Sequence, residues 1–187
     1  MLDCGHSSRK QDWRADRSIA ARRPEHGTMH TMPKTILLLR HGEEPADQPD
    51  LDLSGAGRKR AERLAKFIPA EFGKPGVIFA AAPSPSSARS FLTMRPLAAS
   101  LKLAIDGSFK GDDYAPLAFK LLGDPLLRKE LIVVCWTHHE LPLLAAYLNV
   151  TRKDFPTRWP EEVFDRLYVL AYKGSTRPTV RAVTQPF

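Results

Sequence analysis

The sequence predicts a three-layer α/β sandwich with a mostly parallel central sheet, and three observations carry that prediction. Its strongest apolar runs, "TILLLR", "GVIFAAAP" and "LIVVCWTH", do not alternate with polar residues, as expected of strands covered by helices on both faces. Segments of helical period lie between these runs, so strands and helices take turns along the chain. Two of the runs finish in arginine or histidine, and ligands of open α/β sheets gather outside the carboxyl ends of the strands.

The elements follow in order. Residues 1–33, "MLDCGHSSRKQDWRADRSIAARRPEHGTMHTMP", lack hydrophobic periodicity and are rich in charge, so they are expected to form a disordered basic extension ahead of one domain over 34–187. They hold no apolar signal core, and Asp3, Asp12, Asp16 and Glu25 argue against an acid-poor targeting helix. His6, His26 and His30 lack tight metal-ligand spacing. "KTILLLRHGEE" reads as a buried strand that emerges at Arg40, His41 and Gly42, the glycine letting the backbone pass close to a bound group.

After the loop "ADQPDLD", "LSGAGRKRAERLAKFIPAEF" reads as a helix with Ser54 as N-cap and Ala61, Leu64, Ala65 and Ile68 on one face. The cluster Arg58, Lys59, Arg60 and Arg63 is placed on the solvated side, with no role beyond solubility. "GVIFAAAP" is the second strand, "PSSARSFLTMRPLAASL" a helix kinked at Pro96, and "KLAID" a short edge strand. Another helix is expected to start near Tyr114. "LIVVCWTH" is the third buried strand and leads into the helix "HELPLLAAYL", whose Pro142 falls in the first turn. "FDRLYVLAYK" and "PTVRAVTQ" form an antiparallel pair at one margin, joined at "GSTR".

Composition limits the function. The 187 residues suffice for one well-buried core, 43% hydrophobic and 26% charged residues are ordinary for a globular protein, and no apolar run reaches the roughly 18 residues needed to span a bilayer. No membrane partner is expected. Cys4 and Cys135 are far apart in unlike contexts, which is no disulfide framework and fits a cytoplasmic setting. The net charge is +7, of which residues 1–33 supply +2 (six Lys/Arg against four Asp/Glu), leaving +5 spread over the rest. No basic stripe with interleaved aromatics appears, which favours a small anionic ligand over nucleic acid.

Parallel strands would bring Arg40, His41, Arg89 and the pair His138/His139 to one edge of the sheet. Two arginines and two histidines beside helix N-termini make a positive pocket with planar, forked donors, a chemistry that suits a phosphate.

These same residues carry a resemblance. "LLLRHGEE" resembles the Arg-His-Gly signature of the histidine phosphatase superfamily, the phosphoglycerate mutase-like fold, in which that histidine is phosphorylated during turnover. "LSGAGRKRA" resembles the family's Leu-Ser/Thr-x-x-Gly helix start, and "PSPSSARSFLT" its Ser-Pro-x-x-Arg-x-x-x-Thr segment, with Arg89 and Thr93 in place. "VVCWTHHELPLL" is similar to the strand bearing the second histidine, and "RWPEEVFDRLYVL" to a Trp and Phe/Tyr-Asp stretch of short members. The likeness covers nearly everything from residue 34 onward.

The resemblance implies a metal-independent phosphomonoesterase, without cofactor, acting on a small phosphorylated substrate or a phosphoprotein. His41 becomes the nucleophile, Arg40 and Arg89 the phosphate clamps, and a protonated His138 the second histidine, preferred to His139 because it ends the strand directly. Gly42, Glu43 and Ser54 join the substrate-binding edge. The proton donor is sought between the second arginine and the second histidine, where Asp112 and Asp113 follow Gly111; Asp106 lies nearby, and Glu43 is better placed to orient than to protonate. Two departures stand out. The family's asparagine after the nucleophile falls near Asp47, and the Ser-Pro pair sits one residue far from Arg89, which leaves Ser84 and Ser86 off register. A mutase, for which the chain lacks the extended insertions, and a catalytically weak phosphate-binding module remain alternatives at this level.

Overall fold

The computed structural model describes residues 32–46, 52–128 and 130–187. The expectations for residues 1–31 and for Asp47 therefore lie outside the described residues.

Six strands form one sheet: β1 (Thr35–Arg40), β2 (Val77–Ala80), β3 (Ile105–Asp106), β4 (Leu131–Trp136), β5 (Arg166–Ala171) and β6 (Thr179–Thr184), in the order β3-β2-β4-β1-β5-β6. Pairings among β1, β2, β3 and β4 are parallel, while β1–β5 and β5–β6 are antiparallel. The mostly parallel sheet with an antiparallel margin is thus observed as expected. Helices α1 (Gly55–Phe72), α2 (Arg89–Leu101), α3 (Tyr114–Gly123) and α4 (Leu141–Tyr147) complete the layers.

The unbroken apolar run of β1 has a direct cause. Ile36 and Leu38 point into one buried cluster with Leu117 and Leu121 of α3 and Leu144 of α4, while Leu37 and Leu39 point into another with Leu64 and Ile68 of α1 and Leu97 of α2. Successive side chains of a strand face opposite ways, so a strand sandwiched between helix pairs must be apolar at every position. No helix of the described residues is long and apolar enough to cross a membrane.

The register sets the site. Arg40 lies opposite Trp136 across the β1–β4 ladder, and the His41 N–H donates to the Trp136 carbonyl at 3.3 Å, extending it. The chain leaving β1 and the chain leaving β4 therefore emerge side by side. Helix α1 starts as predicted, the Gly57 N–H donating to the Ser54 hydroxyl at 3.1 Å, and α2 runs through Pro96.

One expectation is corrected. Arg60 is not a solvated residue: its side chain is only 12% exposed, and it forks onto Glu43 with contacts of 2.7 to 3.0 Å. It also donates to the Gln185 side chain at 2.9 Å and the Phe187 carbonyl at 3.1 Å. Neighbouring cations on one helix look alike in sequence, and only the position of the loop after β1 separates Arg60 from them.

Candidate active site

His41 is 3% exposed, and its Nδ1 lies 2.8 Å from the Gly42 carbonyl oxygen. A carbonyl only accepts, so Nδ1 holds the ring proton and Nε2 is left with a free lone pair. Burial, with help from Arg40 and Arg89 and against the Gly42 carbonyl, lowers the His41 pKa to about 4. The ring is neutral near neutral pH, as a nitrogen nucleophile must be.

The loop carrying His41 is pinned on two sides. The Gly42 N–H donates to the Thr93 hydroxyl at 2.9 Å, and that hydroxyl donates to the Arg89 carbonyl at 2.7 Å, tying the loop to the first turn of α2. On the other side the loop lies against α1: a Cβ on Gly42 would meet the Gly57 oxygen at 2.9 Å, and one on Gly57 would meet the Glu43 nitrogen at 2.8 Å. The two glycines of "RHG" and "LSGAG" permit this approach.

Arg40 is 2% exposed. One guanidinium nitrogen donates to the Glu161 carbonyl, the other to Glu44 Oε1 at 3.1 Å, and Cζ lies 3.8 Å from the Phe164 ring centroid. Burial pulls its pKa below the ordinary arginine value, yet an arginine stays charged. Arg89 reaches the same carboxylate, with Nη2 at 3.1 Å from Glu44 Oε2. The two arginines thus converge on one anionic group.

His138 stands beside His41 with ring centroids 6.1 Å apart, whereas His139 stacks on its outer side at 3.8 Å and is exposed. The sequence leads to a His138 protonated in the transition state; the structure gives its resting state. Burial, then Arg40, His139 and His41, lower its pKa to about 4, so the resting imidazole is neutral. Buried Arg40 Nε and His138 Nδ1 have no hydrogen-bond partner among the described residues, an unused capacity of the kind an oxyanion fills.

The remaining predicted residues lie elsewhere in the same region. Glu43 turns to Arg60, which more than offsets the effect of burial and holds its carboxyl below the ordinary range. Ser54 is spent on the cap of α1. Asp113 accepts the Lys110 N–H at 2.8 Å in its own turn. Asp112 borders an open cleft of about 490 Å³ with Ser84, Ser86, Ser87, Lys110 and Thr137. Ser84 and Ser86 are bonded to each other at 3.1 Å.

Sequence reasoning missed Glu44 and Phe164. For Glu44 no signal separates two adjacent glutamates; for Phe164 the weak "RWPEEVFDRLYVL" likeness pointed to the right segment. His41, Glu44 and His138 bring ligand-type atoms within 4.8 Å of one another. Two guanidinium groups on that same carboxylate make the cluster a seat for an anion, since a cation there would face both.

No family model matches the chain, and no curated protein matches it by sequence. Solved structures do. The chain is similar to the protein histidine phosphatase SixA complexed with tungstate, at TM-score 0.60 and 12% identity, covering 80% of this chain and 96% of that one. The fold is that of the histidine phosphatases. A mycobacterial glucosyl-3-phosphoglycerate phosphatase with inorganic phosphate is also similar, at TM-score 0.52 and 18% identity, covering 82% of this chain and 97% of that one. In this histidine phosphatase fold, the edge where β1 and β4 end is where the chain gathers Arg40, His41, Arg89 and His138.

The buried neutral histidine predicts how stability depends on pH. An unfolded His41 takes a proton near its ordinary 6.5, but the folded one refuses it until about 4, so stability is complete above the first value and is lost as pH falls towards the second. The loss from His41 alone is roughly 3 kcal/mol. Urea denaturation from about pH 7 to 4.5, above most of the carboxylate range, is expected to show this decline. His41→Gln is expected to make it shallower without abolishing it, because His138 carries a lowered pKa of the same kind.

Proposed function

We propose that this chain is a phosphomonoesterase that works through a phosphohistidine on His41. The single observation that carries the reading is the neutral His41, its tautomer fixed by the Gly42 carbonyl, beside Arg40 and Arg89 meeting on one anionic group. The fold supports it, as both similar structures reported above are phosphatases.

His41 Nε2 attacks phosphorus, and the phosphoryl group passes through a state whose charge sits on its equatorial oxygens. Arg40 and Arg89 are the donors for those oxygens, Arg40 held in place by the Glu161 carbonyl and the face of Phe164. His138 supplies a neutral hydrogen-bond donor. Its pKa would rise beside a dianion, because a negative neighbour favours the imidazolium. Water then cleaves the phosphohistidine. No step asks for a metal, so we propose metal independence.

The cleft between the residues following β2 and the loop at 110–112 abuts Thr137 and Ser87, neighbours of His138 and Arg89. Its hydroxyl-lined, open wall suits the polar remainder of a small phosphorylated substrate or a phosphorylated side chain. Buried, unpaired Cys135 fits the cytoplasmic setting expected from the sequence.

Hydrolysis of an aryl phosphate, followed with a chelator between about pH 5 and 8, tests the reading. The parent is expected to turn over and His41→Ala to be inactive. Equal rates from both proteins would refute it.

A further inference from the structure

We propose that Glu44 is the acid that protonates the leaving oxygen, and that the arriving phosphoryl group loads it with the proton it gives up. The inference rests on the phosphatase reading and names a residue that the resemblance does not supply.

The geometry around Glu44 carries it. Glu44 Oε1 lies 3.1 Å from Arg40 and Oε2 3.1 Å from Arg89, so its carboxylate fills the space between the guanidiniums that an incoming phosphoryl group needs. Carboxylate and phosphate use the same forked contacts with arginine, and two anions cannot hold them together. The phosphoryl oxygens displace the carboxylate, but Glu44 is only three residues from His41 and lies within 4.8 Å of His41 and His138 nitrogens. It stays beside the group that displaced it.

Among the described residues, Glu44 is faced by Arg40 from β1, His41, Arg89 from α2 and His138 after β4. Burial opposes its charge, but Arg89, His41 and Arg40 outweigh burial and hold the carboxyl below its ordinary range. Once the arginines turn to phosphoryl oxygens, that support is spent and a dianion adjoins the carboxylate. Both changes favour the protonated form. Asp113, by contrast, is engaged with the Lys110 N–H, and Asp112 is exposed on the cleft wall.

The chemistry balances. The His41 Nε2 lone pair forms the N–P bond while the P–O bond breaks. The leaving oxygen keeps that electron pair and takes the proton from Glu44, giving alcohol, phosphohistidine and carboxylate. In the second half the carboxylate removes a proton from water as its oxygen bonds to phosphorus, and the N–P pair returns to Nε2. When phosphate departs, Glu44 releases its proton and returns to Arg40 and Arg89.

Two measurements test this. Calorimetric binding of inorganic sulfate, a dianion that does not titrate near neutral pH, is repeated in buffers of different ionisation heat. Because His138 can also gain a proton beside the dianion, the parent is expected to take up about one proton per site more than Glu44→Gln; equal uptake by the two proteins, or binding by the parent without proton uptake, overturns the proposal. Single-turnover phosphorylation is then compared for an alkyl phosphate and a nitrophenyl phosphate, whose leaving group needs no proton. Glu44→Gln is expected to slow the alkyl reaction by about 10² to 10⁴-fold and the aryl reaction by far less. Equal effects on the two substrates, or the selective loss appearing in an Asp112→Asn/Asp113→Asn protein instead, overturn it. If the parent forms no phosphohistidine with either substrate, the phosphatase reading itself fails. If it does and Glu44→Gln matches it on both, only the role of Glu44 fails.

Discussion

Arg40→Ala is expected to lose phosphatase activity by at least about 10² to 10³-fold, the usual effect of deleting one preorganised donor, and to destabilise the fold by about 3 to 5 kcal/mol. Both effects have one origin. The guanidinium is 2% exposed and simultaneously holds Glu44, the Glu161 carbonyl and the face of Phe164. Alanine would leave the carbonyl without its donor, Glu44 with Arg89 alone, and a void under Phe164. Arg40→Lys retains the charge but not the planar fork. It is expected to recover part of the stability and little of the activity. Urea unfolding and turnover measured on the same preparations check both statements, and an active Arg40→Ala protein would remove Arg40 from the phosphate clamp.

Gly57→Ala is the second large effect, and its sign is informative. Helix propensity alone would make alanine about 0.8 to 1.0 kcal/mol better than glycine inside α1. Against this, the new Cβ would press on the Glu43 carbonyl oxygen and approach the Glu43 nitrogen to 2.8 Å. These are backbone atoms, which cannot swing aside. Overpacking of this sort costs about 1 to 3 kcal/mol or more, and relief would have to move the loop that carries His41 and Glu44. Net destabilisation with a fall in activity is expected. Gly55→Ala is the control: a Cβ there meets nothing within 4 Å, so its stability is expected to stay level or rise, with full activity. Thermal melts and turnover of the two variants decide the matter, and a stabilised, active Gly57→Ala would show that the loop does not depend on that contact.

Much of this was legible in the sequence because it follows from local pattern. Unbroken apolar runs marked β1, β2 and β4, and the strand-end rule then brought Arg40, His41, Arg89 and His138 to one edge, which is where they stand. Ser54 capped α1 as its position suggested. What the sequence could not separate were residues of identical type side by side. Glu43 and Glu44 differ only in where the loop after β1 directs them, one to Arg60 on α1 and the other to Arg40 and Arg89. Arg60 was lost among Arg58, Lys59 and Arg63 for the same reason. The charge state of His138 depends on burial and on Arg40, His139 and His41, neighbours that only tertiary structure assembles. Phe164, stacked on Arg40 from a distant segment, is a long-range contact with no local pattern to announce it.

The most direct test of the central claim is to mix the protein with a phosphate monoester, quench it within one turnover, and map covalent phosphate by peptide mass spectrometry under alkaline conditions that preserve phosphohistidine. The account predicts phosphate on His41, absent in His41→Ala and lost on acid treatment. Turnover with phosphate on another residue, or with none on the protein, would contradict it.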